Sequence, residues 1–178
     1  MPEPNAIAVT DPVAIAALET ERFVAGAGWD QPVRLFALVP TAELVAAQPG
    51  LASSTSLSDS APGALSAVEQ DDIPEHDGIE DLLARLAWPP AVVGVLIALE
   101  RIVVPPEVEA ALPEDPAAAL QALAAHPDRA DVRLVAAATR DGRETCLLRQ
   151  RANDRDDRVA MDRGIAPGLL AALKATLD

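Results

Sequence analysis

Aromatic residues and cysteine are scarce in this chain. Its 178 residues include two phenylalanines, two tryptophans and no tyrosine. Because aromatic rings bury the largest area per residue, a core built on alanine, valine and leucine is expected to be thin, which favours burial of further surface in a homodimer. The single cysteine, Cys146, excludes an intramolecular disulfide and a four-cysteine zinc site.

Phosphate-binding loops and targeting segments are also missing. Lys174 is the only lysine and follows no glycine-rich loop, which excludes a P-loop nucleotidase. Residues 1–10 lack a basic stretch followed by an apolar one, so no signal peptide is expected. The longest apolar run, residues 91–99, is far shorter than the roughly 20 residues that span a bilayer. These absences predict a cytoplasmic protein with no membrane partner.

Basic residues are few, and they are unevenly placed. The net charge is −14; residues 1–127 carry 19 acids against four bases, whereas residues 128–163 carry nine arginines against eight acids. Nucleic-acid binding requires a basic surface that neutralises phosphates. The sequence therefore predicts no nucleic-acid partner and an acidic surface that keeps the protein soluble.

Capping residues and apolar patterns divide the chain into helices and strands. The Asp-Pro pairs at Asp11 and Asp115 predict helix starts. Residues 48–62 are rich in serine, proline and glycine and are expected to form a mobile loop. Gly94, within a long apolar strand, is a candidate bulge. The predicted helices are 12–25, 42–47, 79–87, 117–125 and 167–177, and the predicted strands are 33–39, 64–70, 91–104, 131–139 and 143–151.

This order of elements predicts an α+β fold with one domain over residues 1–178. We expect a single antiparallel or mixed sheet of about four to five strands with helices on one face, in an order that resembles secretion-chaperone-like folds. Asp141-Gly142 predicts a hairpin with a two-residue turn, placed centrally in the sheet. The hairpin is rich in arginine, and some of these side chains are expected to meet carboxylates of residues 1–127 across the sheet, with Glu100 as the first choice of partner. The arginines are Arg133, Arg140, Arg143, Arg149 and Arg151.

Side chains able to carry chemistry are few. His126 follows a helix, where an imidazolium favourably meets the last carbonyls. Cys146 lies inside a strand, which is typical of a small buried apolar residue; a Cys146–His126 dyad is the catalytic alternative. The acidic segments 75–77 and 153–157 lack the ligand spacing of a metal site. No catalytic residue, metal or cofactor is therefore predicted.

Six residues form the candidate ligand site of the sequence. Glu100 and Arg101 interrupt an apolar strand, and adjacent strand residues face opposite sides of a sheet. They either pair with the arginine-rich hairpin or help to bind a ligand. The two tryptophans are either core anchors at helix ends or walls of the site. The six residues are Trp29, Asp30, Trp88, Glu100, Arg101 and His126.

A set of short motifs gives the chain a family resemblance. The motifs are 29–32, 35–39, Trp88 with its following proline, Glu100-Arg101 with Pro105-Pro106, and 126–128 ahead of a valine-rich hairpin. In these motifs the chain resembles an uncharacterised family of actinobacterial hypothetical proteins of similar length, over nearly its whole extent. The resemblance implies a cytoplasmic setting and supplies no activity.

Two functions follow from these features. The leading hypothesis is a non-enzymatic protein-interaction module, chaperone- or adaptor-like, which forms a homodimer and receives a partner protein on its acidic surface or an exposed strand edge. The alternative is a small-molecule-binding or hydrolytic enzyme that uses the six candidate residues. Convergence of those residues on one partly apolar cavity would favour the alternative.

Overall fold

The computed structural model describes residues 11–47 and 63–178. The segment 48–62, predicted to be a mobile loop, lies outside the described residues. The helices are α1 (Pro12–Ala25), α2 (Thr41–Ala47), α3 (Ile79–Ala84), α4 (Pro106–Ala110), α5 (Pro116–Ala125) and α6 (Pro167–Ala175). The strands are β1 (Arg34–Pro40), β2 (Leu65–Glu69), β3 (Gly94–Val103), β4 (Ala130–Thr139), β5 (Glu144–Gln150) and β6 (Ala160–Met161).

The strands form one open antiparallel sheet in the order β2-β1-β3-β4-β5-β6. The predicted α+β class and single antiparallel sheet are confirmed. The prediction of four to five strands is too low, because β6 was missed. Its two residues pair with Leu147 and Leu148 of β5 and lie in a charged segment with no apolar alternation, so no pattern indicated a strand.

Helices cover both faces of the sheet, and the prediction that they pack on one face is wrong. Ala17 of α1 shares an apolar cluster with Val135 of β4. Leu170 of α6 shares a second cluster with Ala136, the next residue of β4. Successive residues of a strand point to opposite faces, and every residue of 95–99 and 134–138 is buried. A strand that is apolar on both sides requires a cover on each face.

The two Asp-Pro helix starts are confirmed. Asp11 Oδ1 accepts a hydrogen bond from the backbone N of Val13 at 3.1 Å, which caps α1. Asp115 Oδ2 accepts one from the backbone N of Ala118 at 3.1 Å, which caps α5. Helix α4, which starts at Pro106, was not predicted.

The hairpin of β4 and β5 is central, as predicted, because β4 pairs with β3 along its whole length. The expected partnership of Glu100 is also confirmed, since Glu100 pairs with Arg133 in register and their side chains lie 3.5 Å apart. The predicted two-residue turn is wrong. Thr139 N donates to Arg143 O at 2.9 Å, so three residues connect the strands. Both turn types use glycine in the left-handed region, so the Asp-Gly pair did not distinguish them.

Replacing Gly142 with valine is expected to lower the free energy of unfolding by about 1 kcal/mol or more. Gly142 has a φ of 89°, a region that strains a β-branched residue. The Gly142→Asn variant serves as the control, since asparagine tolerates this region and should lose less. Urea denaturation measures both, and an equal stability of the valine variant and the unmodified protein would contradict this turn geometry.

Gly94 does not form the predicted bulge. Strands β3 and β4 pair without interruption, from Gly94 with Thr139 to Val103 with Ala130. The glycine is required for a different reason, because a Cβ atom at this position would lie 2.7 Å from the carbonyl oxygen of Ala138.

Candidate functional site

A cleft of about 420 Å³ opens where the ends of the central strands meet α5. Its apolar wall comes from β3 and α5, and its charged residues come from the loop after α1, the strand ends and the turn after α5. The apolar residues are Ile102, Leu120 and Leu123, and the charged residues are Asp30, Glu100, Arg101, Arg129, Asp131 and Arg151. We call this concavity the strand-end cleft.

Three of the six candidate ligand residues line the strand-end cleft: Asp30, Glu100 and Arg101. Glu100 accepts hydrogen bonds from the backbone N atoms of Asp30 and Gln31, each at 2.8 Å. Asp30 has a φ of 64°, a left-handed conformation in which Asp is among the tolerated residues. The loop after α1 is therefore tied through its backbone to a carboxylate of β3.

Arg151 fixes the side chain of Asp30. The two groups form a bidentate ion pair with distances of 2.8 and 3.0 Å. The hydrogen bond from Arg151 lowers the pKa of Asp30 below its usual value. Arg151 also lies 4.0 Å from Asp131. One guanidinium thus balances two carboxylates at the mouth of the cleft.

Trp29 lies beside the cleft between two arginines. The Cζ atoms of Arg133 and Arg151 are 4.3 and 5.6 Å from the centre of its ring, within the range of cation–π attraction. Its Nε1 donates to Asp154 Oδ2 at 2.9 Å, and this bond is the main reason that the pKa of Asp154 is lowered. Trp29 is therefore part of a charged network rather than a core anchor.

The other candidates lie outside the lining of the cleft. Trp88 packs on the α6 side of the sheet, where its Nε1 donates to Thr176 Oγ1 at 3.1 Å, so it is a core anchor. His126 ends α5, as predicted. Its Nδ1 accepts a hydrogen bond from the backbone N of Asp128 at 3.0 Å.

The Cys146–His126 dyad gains no support. Burial raises the pKa of the Cys146 thiol to about 11, which disfavours the thiolate that a catalytic dyad requires.

The most deeply buried ion pair of the described residues joins Arg149 to Glu21, a carboxylate of residues 1–127 that the sequence pattern did not single out. Both side chains are at most 3% exposed. Arg149 Nη2 lies 2.9 Å from Glu21 Oε2, and the same guanidinium binds Asp154 at 3.0 Å and Asp156 at 2.6 Å. A signal was present in α1, because Glu21 continues the stripe of Val13 and Ala17 at four-residue spacing. A carboxylate on such a buried face requires a partner.

A second concavity, the edge groove, lies between α1 and β2 and has a volume of about 360 Å³. Its lining is mixed, and Phe23 is 61% exposed. The apolar residues are Ala16, Phe23, Phe36, Leu65 and Ala67, and the polar residues are Glu19, Thr20, Ser66 and Glu69. The guanidinium of Arg34 lies 5.0 Å from the ring centre of Phe23 and forms a bidentate pair with Glu69 at 2.6 and 2.8 Å. This pair lowers the pKa of Glu69.

The outer edge of β2 is unpaired among the described residues. Gln70 N donates to Leu35 O at 2.8 Å, and Thr41 N donates to Ala64 O at 2.9 Å. Because hydrogen-bonded positions alternate along an antiparallel pair, the even-numbered residues of β2 bond to β1. Leu65, Ala67 and Glu69 therefore direct their backbone N–H and C=O groups outward, and all three also line the edge groove.

Residues 13–178 match the family model described as PPA1309-like protein. The chain belongs to this family. No curated protein and no solved structure matches it. The predicted membership of an uncharacterised family is confirmed, and the PPA1309-like family has no assigned activity; its actinobacterial distribution stays a prediction. Within residues 11–47 and 63–178, no helix is long and apolar enough to cross a membrane.

Proposed function

We propose that the protein is a non-enzymatic interaction module that receives an extended segment of a partner protein on the outer edge of β2. The observation that carries this proposal is the double role of Leu65, Ala67 and Glu69. Their backbone groups are directed outward, and their side chains line the edge groove. An added strand would gain main-chain hydrogen bonds from these residues.

The edge groove supports specificity for alternate side chains of the added strand. In strand addition the backbone gives affinity, and pockets for every second side chain give specificity. Ala16 and Thr20 of α1 leave space above β2, and Phe23 closes one end. An exposed aromatic ring beside an unpaired strand is a typical anchor for a partner. β-Branched and aliphatic side chains suit this groove.

The charge of the chain supports a basic partner. The net charge is −14, and residues 1–127, which include every residue that lines the edge groove, carry 19 acids against four bases. Opposite charge on the partner speeds encounter and suppresses association with acidic proteins. The same charge opposes close approach of a second copy. The proposed partner is therefore an extended segment that alternates aliphatic with basic residues.

A decapeptide that alternates valine with arginine tests this proposal. It should bind the protein and protect the backbone N–H groups of Ala67 and Glu69 from hydrogen exchange. The Ala67→Pro variant removes one outward N–H, and proline is tolerated on a strand edge, so binding should weaken about tenfold. The Ala67→Ser variant keeps the N–H and should bind as the unmodified protein does.

Three outcomes would contradict strand addition at β2. They are no binding of the valine–arginine peptide, equal binding of a peptide with glutamate in place of arginine, and unchanged binding by the Ala67→Pro variant. Sedimentation of the protein without peptide measures its oligomeric state and tests the predicted homodimer. A dimer that the Ala67→Pro variant abolishes would assign this edge to a second copy. The secretion-chaperone-like order and the cytoplasmic location remain predictions.

A further inference from the structure

We propose that a second copy of this chain docks on α5, so that two α5 helices pack against each other in antiparallel orientation across a two-fold axis. This surface is separate from the edge groove and does not depend on strand addition at β2. An exposed apolar helix and the charges at its two ends carry the inference.

Helix α5 is apolar on all sides and is nevertheless not buried. Its ten residues are one proline, six alanines, two leucines and one glutamine, with no charged side chain. None of the ten is buried, and neither is any other residue of the stretch 104–129. A helix that is apolar all round is ordinarily covered in the folded state. The described residues of one chain do not supply that cover.

The exposed side chains at the middle of α5 form one stripe. Leu120 is 66% exposed, the largest exposed fraction among the large apolar residues described. Ala117, Gln121 and Ala124 are also exposed, and together with Leu120 they follow the three- and four-residue spacing that places side chains on one face of a helix. Because alanine is small, a second helix can approach this face closely.

The two ends of α5 differ in charge. Glu114 and Asp115 precede the helix, and Glu114 makes no hydrogen bond or ion pair with another described residue. Asp128 and Arg129 follow the helix, and Arg129 donates one nitrogen to the carbonyl oxygen of Ala124 in the last turn, which leaves its other donors free among the described residues. In an antiparallel pair, Arg129 of one copy lies beside the two carboxylates of the other, and each contact occurs twice.

A second copy therefore fits this surface better than an unrelated partner. A two-fold axis through the middle of α5 sets Leu120 of one copy against Leu120 of the other and brings the differently charged ends together. The net charge of −14 makes two copies repel each other, and α5 offers a contact surface without like charges. A ten-residue helix is about 15 Å long. A pair this short buries less than the roughly 1,200 Å² of a stable interface, so we expect a weak dimer that forms at high concentration.

Sedimentation equilibrium at concentrations up to about 1 mM tests this dimer. The mass should rise with concentration toward twice that of one chain. The Leu120→Glu variant sets two carboxylates against each other at the axis and should weaken the dimer at least about tenfold. Met161→Glu is the matched control, because it adds the same charge at an exposed apolar residue of β6; it should dimerise as the unmodified protein does.

Cysteine variants test the antiparallel arrangement. In Gln121→Cys the new thiols of two copies lie beside the axis and should form a disulfide when oxidised glutathione is added, whereas Cys146 is buried and should not react. In Ala117→Cys the two thiols are about 10 Å apart along the pair. A disulfide requires Cα atoms within about 7 Å of each other, so this variant should stay unlinked.

A charge reversal tests the contact between the helix ends. The Arg129→Glu variant should weaken the dimer, because it places a third carboxylate beside Glu114 and Asp115 of the other copy. Adding Glu114→Arg restores opposite charges at both ends and should recover the dimer. Loss of the bond from Arg129 to Ala124 is common to both variants, so the recovery reports the contact between copies.

Four results would overturn the proposal. They are a monomer at every concentration, an equal loss in Leu120→Glu and Met161→Glu, which would show a general charge effect, cross-linking of Ala117→Cys as readily as Gln121→Cys, which would exclude the antiparallel pair, and loss of the dimer in Ala67→Pro, which would place it on the edge of β2. Because Ala67→Pro leaves α5 unchanged, it should dimerise normally, so failure of this dimer is distinguishable from failure of strand addition.

Discussion

Replacing Arg149 with methionine is expected to lower the free energy of unfolding by about 3–5 kcal/mol, because it leaves a buried carboxylate without its cation. Glu21 is 1% exposed, and Arg149 is its hydrogen-bond partner through two nitrogens. Urea denaturation monitored by circular dichroism measures the loss. The Arg155→Met variant is the matched control. Arg155 pairs with Asp157 on the surface, so its loss should stay below about 1 kcal/mol.

A double variant separates the ion pair from packing. Replacing a buried pair with apolar residues is often neutral or stabilising, whereas removing one partner is costly. The Glu21→Leu/Arg149→Met variant should therefore recover most of the stability that Arg149→Met loses. Asp154 and Asp156 remain solvated in that variant, since both are at least 41% exposed. An equal loss in Arg149→Met and Arg155→Met would show that the pair does not stabilise the fold.

The same ion pair connects stability with the edge groove. Glu21 anchors the last turns of α1 to β5, and Phe23 lies two residues further along that helix, where it lines the groove. Loss of this ion pair should increase the mobility of the end of α1, so that Phe23 no longer holds a fixed position at the edge groove. The Arg149→Met variant is therefore expected to bind the valine–arginine peptide more weakly than the Arg155→Met control.

Replacing Gly94 with alanine is expected to lower the free energy of unfolding by about 2–3 kcal/mol, at the upper end of the range for overpacked cores. The new Cβ would lie 2.7 Å from the carbonyl oxygen of Ala138, 2.9 Å from Thr139 Cγ2 and 3.1 Å from Leu38 Cδ1. The carbonyl oxygen belongs to the central strand β4 and moves only if the sheet shifts.

Gly168→Ala is the matched control for this prediction. An added Cβ at Gly168, in the first turn of α6, meets no atom within 4 Å. Alanine also lowers the entropy of the unfolded chain, so this variant should be as stable as the unmodified protein or slightly more so. Thermal unfolding of the two variants gives a direct comparison. A Gly94→Ala protein as stable as Gly168→Ala would show that the close approach of β3 and β4 is absent.

Three of the six candidate ligand residues predicted from the sequence line the strand-end cleft. Glu100 and Arg101 stood out because charges interrupted an apolar strand, and Asp30 belonged to the motif 29–32; all three line one cleft in the structure. Trp88 was grouped with them by residue type alone, and its ring packs on the other side of the sheet. A type-based grouping carries no information about which face of a sheet a residue reaches.

The sequence by itself determined the local structure. The Asp-Pro caps, the apolar run of β4 and the Asp-Gly turn each depend on neighbours within a few residues, so helix starts and the hairpin were predicted within a residue or two. Only the tertiary structure decided which elements cover which face, that Glu21 meets Arg149 across 128 positions, and that the outer edge of β2 faces the groove under Phe23. These contacts join residues far apart in the chain, and their free energy depends on burial, which no local pattern encodes.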